Sequence, residues 1–289
     1  MRAKPSPHPL GLLCHHEDMW VSQIVYRLFQ WPGKLLNGFF IELGRMSLMG
    51  TESMYWILRG RVFTPALVQA SAGIGVDSLP IISFTALFTG MVLVVQVGNQ
   101  FMDLGAENII GGVVGLSLTR EMSPLIVSVI LAARAGTAMA AEIGTMKVTE
   151  QIDALKVMSA NPISHLVVPR ILACAFFTPV LVIFSNLIGI LGGYVVAVSQ
   201  IGVNSHLFWQ SLIEMVAPHD FLGGLVKSSG FGFLVGLIGC SKGMDAAGGA
   251  KGVGRAATES VVMTITAILV CNYFFSLAFF AWMRLTGKI

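Results

Sequence analysis

The chain has 289 residues, of which 55% belong to the apolar set and only 11% are charged. An ordinary soluble domain carries roughly 25% charged residues, and the mean hydropathy here is high. This composition excludes a disordered chain, a basic nucleic-acid-binding domain and most soluble enzymes, because the apolar runs exceed what one core can bury. The net charge of +3 is too small to indicate a polyanionic partner. A membrane protein is therefore indicated.

The first residues of the chain give no structural signal. Residues 1–19 contain prolines and acidic side chains, with no apolar run long enough for a secretory signal, so we predict a flexible tail. The run Cys14-His15-His16-Glu17-Asp18 has ligand types that metals use. Neighbouring residues on a mobile tail rarely converge on one ion, so we predict no metal site.

Residues 20–49 repeat polar side chains at steps of three and four, between apolar ones. This period is typical of an amphipathic helix, with Pro32-Gly33 breaking or kinking it. We predict that the helix lies in the membrane interface, within an interfacial region that covers residues 20–78. The alternative is an amphipathic helix that packs on a soluble core.

Five apolar segments follow, each long enough for a spanning helix of about 20 residues. The second and third are longer and must tilt, bend or extend beyond the bilayer. Three GxxxG patterns predict close helix packing, either within the chain or across a dimer. The predicted fold is thus an all-α polytopic membrane protein with an N-terminal interfacial helix and a transmembrane domain over residues 79–289. Its spans are residues 79–97, 108–143, 171–198, 221–240 and 260–283.

The loops alternate in charge. Those after the second and fourth segments carry Lys and Arg, whereas those after the first and third carry only acidic charges. The positive-inside rule therefore predicts a cytoplasmic N-terminus and an external C-terminus. Arg284 and Lys288 near the C-terminus oppose this orientation, but the four internal loops agree with it.

Charged residues within the spans are expensive in lipid and mark functional or structural positions. Arg120 and Glu121 either pair structurally or line a polar cavity, where the arginine offers planar donors to a phosphate. Lys227 either joins such a cavity or extends its ammonium group to the interface. Arg134 and Glu142 are expected to tie helices together.

Residues 148–158 form the other unusual segment, in a loop predicted to be cytoplasmic. Thr149 is predicted to cap a short helix in which Ile152, Leu155 and Met158 form an apolar edge. A short amphipathic helix between spans either docks a soluble partner or lies against its own bundle, and the pattern favours neither.

The sequence contains no GxxxxGK[ST] or GxGxxG motif and no nucleophile–base set, so we predict no enzyme and no ATPase motif in this chain. If ATP supplies energy, another chain must bind it.

The chain resembles a known family. The segments Leu118–Pro124 and Ala141–Leu155, with Asn161-Pro162 and Val167–Arg170 after them, resemble the MlaE (YrbE-type) permeases of ABC lipid transporters. Residues 75–80, 88–91 and 249–256 match the same family.

This resemblance implies an assembly. Such permeases are homodimers in a bacterial inner membrane that bind a cytoplasmic ABC ATPase, an MCE-domain protein on the periplasmic side and a small accessory cytoplasmic subunit. ATP and Mg²⁺ would be bound by the ATPase, with no cofactor, metal or nucleic acid in this chain. The expected cargo is a phospholipid or similar lipid, moved between the inner and outer membranes.

The resemblance also implies roles for residues. The lipid pathway would include Arg120, Glu121, Lys227 and Asn272, although relatives tend to carry Asp at the last position. The ATPase-coupling helix would include Glu150, Gln151, Ile152, Asp153 and Leu155. The alternatives are an ATP-independent secondary transporter, which the absence of internal repeats opposes, and a membrane assembly factor.

Overall fold

The computed structural model describes residues 40–60 and 64–285. The predicted tail and most of the predicted interfacial helix lie outside the described residues. The chain divides into two compact units, Met1–Leu48 and Met49–Ile289, and the contacts discussed below all lie within the second. The described residues form helices joined by turns, without a strand, which confirms the all-α fold class.

Eleven α-helices follow one another in the described part of the chain. α1 covers residues 40–58. The others are α2 (Thr64–Gly75), α3 (Leu79–Asp103), α4 (Ile110–Ser117), α5 (Ser123–Leu131), α6 (Thr137–Val148), α7 (Gln151–Val157), α8 (Val168–Val196), α9 (Ser205–Met215), α10 (Pro218–Met244) and α11 (Gly249–Leu285).

Several helices join end to end into five continuous segments that are long and apolar enough to cross a membrane. The predicted number of spans is therefore confirmed, but the helices extend beyond the apolar segments. The first, for example, begins at Thr64 rather than at residue 79, because α2 and the turn at Val76–Ser78 continue directly into α3. The five segments are Thr64–Asp103, Glu107–Val148, Ile163–Ile201, Pro218–Met244 and Gly249–Leu285.

Short turns of other helix types interrupt these segments. A 3₁₀ turn at Val76–Ser78 joins α2 to α3, and π-helical turns occur at Leu118–Met122 and Ala132–Gly136 in the second segment. Insertions of this kind rotate the side chains that follow them and are frequent at functional sites. Two charged positions of the second segment, Arg120 and Arg134, lie in such turns.

Glycine allows the spans to pack closely within one chain. A Cβ atom on Gly90 of α3 would collide with the backbone carbonyl of Gly189 on α8. A Cβ atom on Gly232 of α10 would likewise collide with the carbonyl of Cys174 on α8. α8 therefore packs against both α3 and α10 through small residues, as the GxxxG patterns at Gly189 and Gly232 predict.

α9 was treated as loop in the sequence analysis, and the structure corrects this. Asn204 caps the helix, because its Oδ1 accepts a hydrogen bond from the backbone N–H of His206 at 2.9 Å. Gly111 and Gly112 of α4 lie directly against the backbone of α9. Phe208 of α9 is fully buried in a cluster with residues of α3, α4 and α8. The segment lacks an apolar run long enough to span a membrane, and for that reason it was assigned to the loop between two spans.

The short helix predicted after the second span is present as α7, but its cap is different. The hydroxyl of Thr149 donates to the carbonyl of Thr145, within the preceding turn, and so does not cap α7. Glu150 takes the cap position with a left-handed backbone, φ 61°. The expectation for Thr149 was wrong because the last turn of α6 offered its hydroxyl a nearer acceptor.

Candidate functional site

A cavity of about 740 Å³, which we call the Arg120 cavity, lies between the second, fourth and fifth segments. The polar part of its lining comes from Arg120, Glu121, His219, Asp220, Lys227 and Ser276. The rest is mainly apolar and includes Leu222, Val226, Phe279, Phe280 and Trp282. The cavity thus joins a small charged region to an aromatic and aliphatic one.

Arg120 forms an ion pair with Asp220 at the start of α10. The Nε and Nη2 atoms of Arg120 lie 2.8 and 2.7 Å from Oδ1 of Asp220. The aspartate side chain is only 1% exposed, and its Oδ2 also accepts the backbone N–H of Ala217 at 3.2 Å. Buried charges require such pairing, because an isolated charge loses its hydration without compensation.

Lys227 forms the second ion pair, with Glu121. Its Nζ lies 2.7 Å from Oε2 of Glu121 and 2.9 Å from Oγ of Ser276 on α11. The hydroxyl of Ser276 in turn donates to Oε1 of Glu121 at 2.8 Å. The lysine side chain is 7% exposed, so the alternative in which it extends to the interface is wrong for this conformation.

The two adjacent charges of the π-helical turn reach different partners. Pro124 has no N–H and cannot donate to the carbonyl of Arg120 four residues earlier. The Lys227 ammonium lies 3.5 Å from that carbonyl oxygen. Adjacent side chains of a helix point about 100° apart, so Arg120 reaches Asp220 and Glu121 reaches Lys227. Both charges are thus paired structurally and also line the cavity.

Asn272 adds a neutral group to the same cluster. Its Nδ2 donates to Oε2 of Glu121 at 3.3 Å. Its Oδ1 is buried and has no hydrogen-bond partner among the described residues. The structure therefore brings all four predicted lipid-pathway residues, Arg120, Glu121, Lys227 and Asn272, into one network.

Sequence reasoning missed two members of this network. Asp220 was counted as a charge of an external loop, whereas it lies in the first turn of α10 two residues after Pro218. That position is typical of a helix start, and an arginine within a span needs an anion, so these two signals together indicate Asp220. Ser276 carried no signal, because a lone serine in an apolar helix is common.

The predicted coupling residues lie on or next to α7. Ile152 is 1% exposed and belongs to the hydrophobic core, so its side chain holds α7 against the bundle. The exposed apolar side chains are instead Val157 and Met158, at 86% and 69%. Glu150, Gln151 and Asp153 are exposed, and Leu155 is half-buried.

Asp153 is held in ion pairs on the surface of α7. Its carboxylate accepts hydrogen bonds from Lys156 at 2.8 Å and from Lys147 at 3.4 Å. The hydrogen bond from Lys156, followed by that from Lys147, holds the pKa of Asp153 below its usual value. The side chain therefore remains ionised at neutral pH and presents a negative charge.

Arg134 and Glu142 connect the second segment to its neighbours, as predicted. Arg134 donates to the carbonyl of Gly73 at 3.1 Å and to the hydroxyl of Ser78 at 2.7 Å, both on the first segment. Glu142 forms an ion pair at 2.8 Å with Arg170 on the third.

The five long apolar helices and the partly charged cavity between them define a multi-pass membrane protein of the permease class. A family model described as "Permease MlaE" matches residues 67–278. The chain belongs to this family, which confirms the resemblance seen in the sequence.

Similar proteins cover most of the chain. A probable ABC transporter permease protein of Synechocystis is 40% identical over 91% of this chain and 95% of its own length. One from Rickettsia prowazekii is 39% identical over 86% and 96%, respectively. The chloroplastic protein trigalactosyldiacylglycerol 1 of Arabidopsis thaliana is 35% identical over 78% of this chain and 64% of its own length.

Proposed function

We propose that this protein is the permease subunit of an ABC transporter that moves phospholipids or similar lipids between the inner and outer membranes. The observation that carries the proposal is the Arg120 cavity, whose lining combines paired charges with Phe279, Phe280 and Trp282. A lipid has the same two-part chemistry, with a polar headgroup on apolar chains. The galactolipid in the name of the Arabidopsis relative also supports a lipid substrate.

The cavity would hold the headgroup at its charged end and acyl chains along its aromatic side. Burying each CH₂ group contributes roughly 0.8 kcal/mol, so a bound lipid does not leave without an energy input. Asn272 would help to position Glu121, to which its Nδ2 donates. Arg120 and Lys227 already have carboxylate partners, so an anionic headgroup would have to compete with Asp220 or Glu121.

Energy would come from a separate cytoplasmic ABC ATPase that binds ATP and Mg²⁺. The names of the relatives, probable ABC transporter permeases, support such a partner. α7 would be the contact, because Val157 and Met158 expose apolar side chains beside the charge of Asp153. In this arrangement Ile152 transmits the movement of α7 to the bundle through the core in which it is buried.

The remaining parts of the assembly follow from the family. The chain would form a homodimer in a bacterial inner membrane, with its N-terminus in the cytoplasm and its C-terminus in the periplasm. A periplasmic MCE-domain protein would exchange lipid with the cavity, and a small accessory subunit would bind on the cytoplasmic side. The predicted loop charges support this orientation.

The lipid role can be tested without leaving an unpaired charge. The double variant Arg120→Gln, Asp220→Asn replaces the ion pair with two amides of similar shape. We expect the purified protein to retain less lipid by mass spectrometry and to transport less lipid between vesicles. Arg255→Gln is the control, since the Arg255 side chain is 81% exposed. Full lipid occupancy with normal transport would refute a headgroup role for Arg120.

The coupling role is tested by Val157→Asp and Asp153→Lys on α7. We expect both to weaken co-purification of the ATPase and to abolish its stimulation by lipid. Glu214→Lys, an exposed reversal on α9, should leave both unchanged because α9 lies in a loop predicted to be external. Normal assembly and normal lipid-stimulated ATPase activity in both α7 variants would contradict the proposal.

A further inference from the structure

A second charged cavity lies apart from the Arg120 cavity and shares no lining residue with it. It has a volume of about 420 Å³, within the usual range for ligand sites, and we call it the Arg134 cavity. α2, α6 and the beginning of α8 contribute to it. Much of its lining is small, including Ala66, Ala70, Gly73, Ala135 and Ala138, and its charged members are Asp77, Arg134, Glu142 and Arg170.

Both arginines are held in place by neutral acceptors of the fold. Arg134 Nη1 donates to the carbonyl of Gly73 at 3.1 Å and to the hydroxyl of Ser78 at 2.7 Å. The Nη1 atom of Arg170 donates to the carbonyl of Leu166 at 2.7 Å. Ser78 is completely buried, so the position of its hydroxyl is fixed. The guanidinium groups would therefore keep their positions if their carboxylate partners moved away.

The carboxylate partners are exposed. Asp77 lies 3.5 Å from Arg134 with its side chain 63% exposed, and Glu142 lies 2.8 Å from Arg170 with its side chain 58% exposed. Exposed ion pairs contribute little, typically below about 1 kcal/mol. Asp77 can therefore turn into solvent at small cost. Arg170 is only 13% exposed, so Glu142 leaves it only when another anion takes its place.

The position along the helices indicates which anion is near. Asp77 and Arg170 immediately precede the apolar segments that begin at residues 79 and 171. Arg134 donates to Gly73 and Ser78, which also precede the first of these segments. The cavity therefore lies beside the ends of two apolar segments, where lipid headgroups are expected.

We propose that the Arg134 cavity is a binding site for a phosphate group, carried either by the headgroup of a membrane lipid or by a small soluble phosphate. Phosphate oxygens accept parallel hydrogen bonds from guanidinium groups, and two arginines on different helices hold such a group from two directions. On binding, the phosphate replaces Asp77 and Glu142, and the two carboxylates turn outward. The alanines leave room for the glycerol part of a lipid.

Two double variants of the full-length chain test this site from opposite directions. Arg134→Gln, Arg170→Gln removes the donors, whereas Asp77→Asn, Glu142→Gln removes the competing carboxylates and keeps the donors. Arg255→Gln controls for the general attraction of anionic lipid to a positively charged protein. Binding of phosphatidylglycerol is measured by native mass spectrometry of the detergent-purified protein, with diacylglycerol as the lipid that lacks phosphate.

We expect the arginine variant to bind phosphatidylglycerol about tenfold more weakly, a change of about 1.4 kcal/mol. The carboxylate variant should bind it more tightly than the unaltered protein, a gain that misfolding cannot produce. Neither variant should change the affinity for diacylglycerol, and Arg255→Gln should change neither affinity. Unchanged phosphatidylglycerol binding in the arginine variant, or no gain in the carboxylate variant, would overturn a lipid source for the phosphate.

A second readout separates the two sources. Phenylglyoxal modifies accessible arginines, so protection of Arg134 and Arg170 by inorganic phosphate, in protein stripped of lipid, reports a soluble phosphate. Protection by phosphatidylglycerol vesicles but not by inorganic phosphate assigns the site to a headgroup, and the reverse assigns it to a soluble phosphate. Lack of protection by either probe would overturn the proposal. Transport is not measured in these assays, so their result is independent of the proposed lipid transport.

Discussion

The Arg120 cavity and the Arg134 cavity contain the same charges, two cations and two anions, but differ in how these are buried. In the Arg120 cavity, Asp220 is 1% exposed and Lys227 is 7% exposed. In the Arg134 cavity, Asp77 is 63% exposed. Helix packing explains the difference: Asp220 is covered where α10 packs closely against the second segment, whereas the short turn that carries Asp77 leaves its carboxylate open.

The two cavities are therefore suited to different tasks. The network around Arg120 is nearly complete among the described residues, because each of its four charges there has a partner of opposite sign. In the Arg134 cavity, the arginines are fixed by Ser78 and backbone carbonyls while their carboxylates are replaceable. The following predictions test this comparison.

The largest expected effect is that of Asp220→Ala. It leaves Arg120 without its carboxylate in a buried setting, which should lower the free energy of unfolding by about 3–5 kcal/mol. The matched change in the other cavity, Asp77→Ala, should lower it by less than about 1 kcal/mol. Chemical unfolding in detergent, followed by circular dichroism, measures both. Equal losses would show that the two ion pairs do not differ as their burial indicates.

A double-mutant cycle gives the next largest effect. Glu121→Gln and Lys227→Met, made singly and together, should show a coupling free energy of about 2 kcal/mol, because Lys227 is buried and both residues bond to Ser276. The cycle of Asp77→Asn and Arg134→Gln should give about 0.5 kcal/mol or less. A coupling in the second cycle as large as in the first would break the comparison.

Ser276→Ala should have a smaller effect. It removes a donor to Glu121 and an acceptor for Lys227, and should lower the free energy of unfolding by about 1–2 kcal/mol. Thr266→Ala on the same helix is the control, because its exposed hydroxyl donates only to the carbonyl of Val262 on its own helix. Similar losses in the two variants would show that Ser276 adds nothing beyond a bond within its helix.

The smallest effect concerns Asp153, which lies outside the spans. Its pKa is lowered by the hydrogen bond from Lys156 and then by that from Lys147, so its ionised form is stabilised in the folded state. That contribution is fully present above the ordinary carboxyl pKa and is lost as the pH falls through the lower, folded pKa. Unfolding at several pH values should show Asp153→Asn slightly less stable than the unaltered protein at neutral pH, with the difference vanishing in acid.

The sequence predicted much of this site because a charge within a span is informative. Arg120, Glu121 and Lys227 stood out against apolar neighbours, and the structure places them in one network with Asn272. Asp220 was missed because the loop before the fourth span was taken to end at this residue. A run of apolar residues marks the part of a helix that can lie in lipid, but the helix itself can begin earlier. α10 begins at Pro218, before the apolar run.

Residues 148–158, the segment predicted to contact the ATPase, show a similar limit of prediction from sequence. Periodicity indicated a short helix with an apolar edge, and α7 is that helix. Pattern alone could not separate the face that packs inward from the face that stays exposed, because Ile152, Val157 and Met158 are all apolar. The structure buries Ile152 and exposes the other two.

By itself the sequence determined that this is an all-α membrane protein with five spans, since hydrophobic length and loop charge are local properties of the chain. It also determined the family, through the residues around Arg120 and the segment from Ala141 to Leu155. Only the tertiary structure decided which charges pair, because Arg120 and Asp220 lie one hundred residues apart and meet through the packing of two spans. The tertiary structure also distinguished the buried carboxylate of Asp220 from the exposed carboxylate of Asp77. Burial depends on neighbouring helices, which no local sequence pattern encodes.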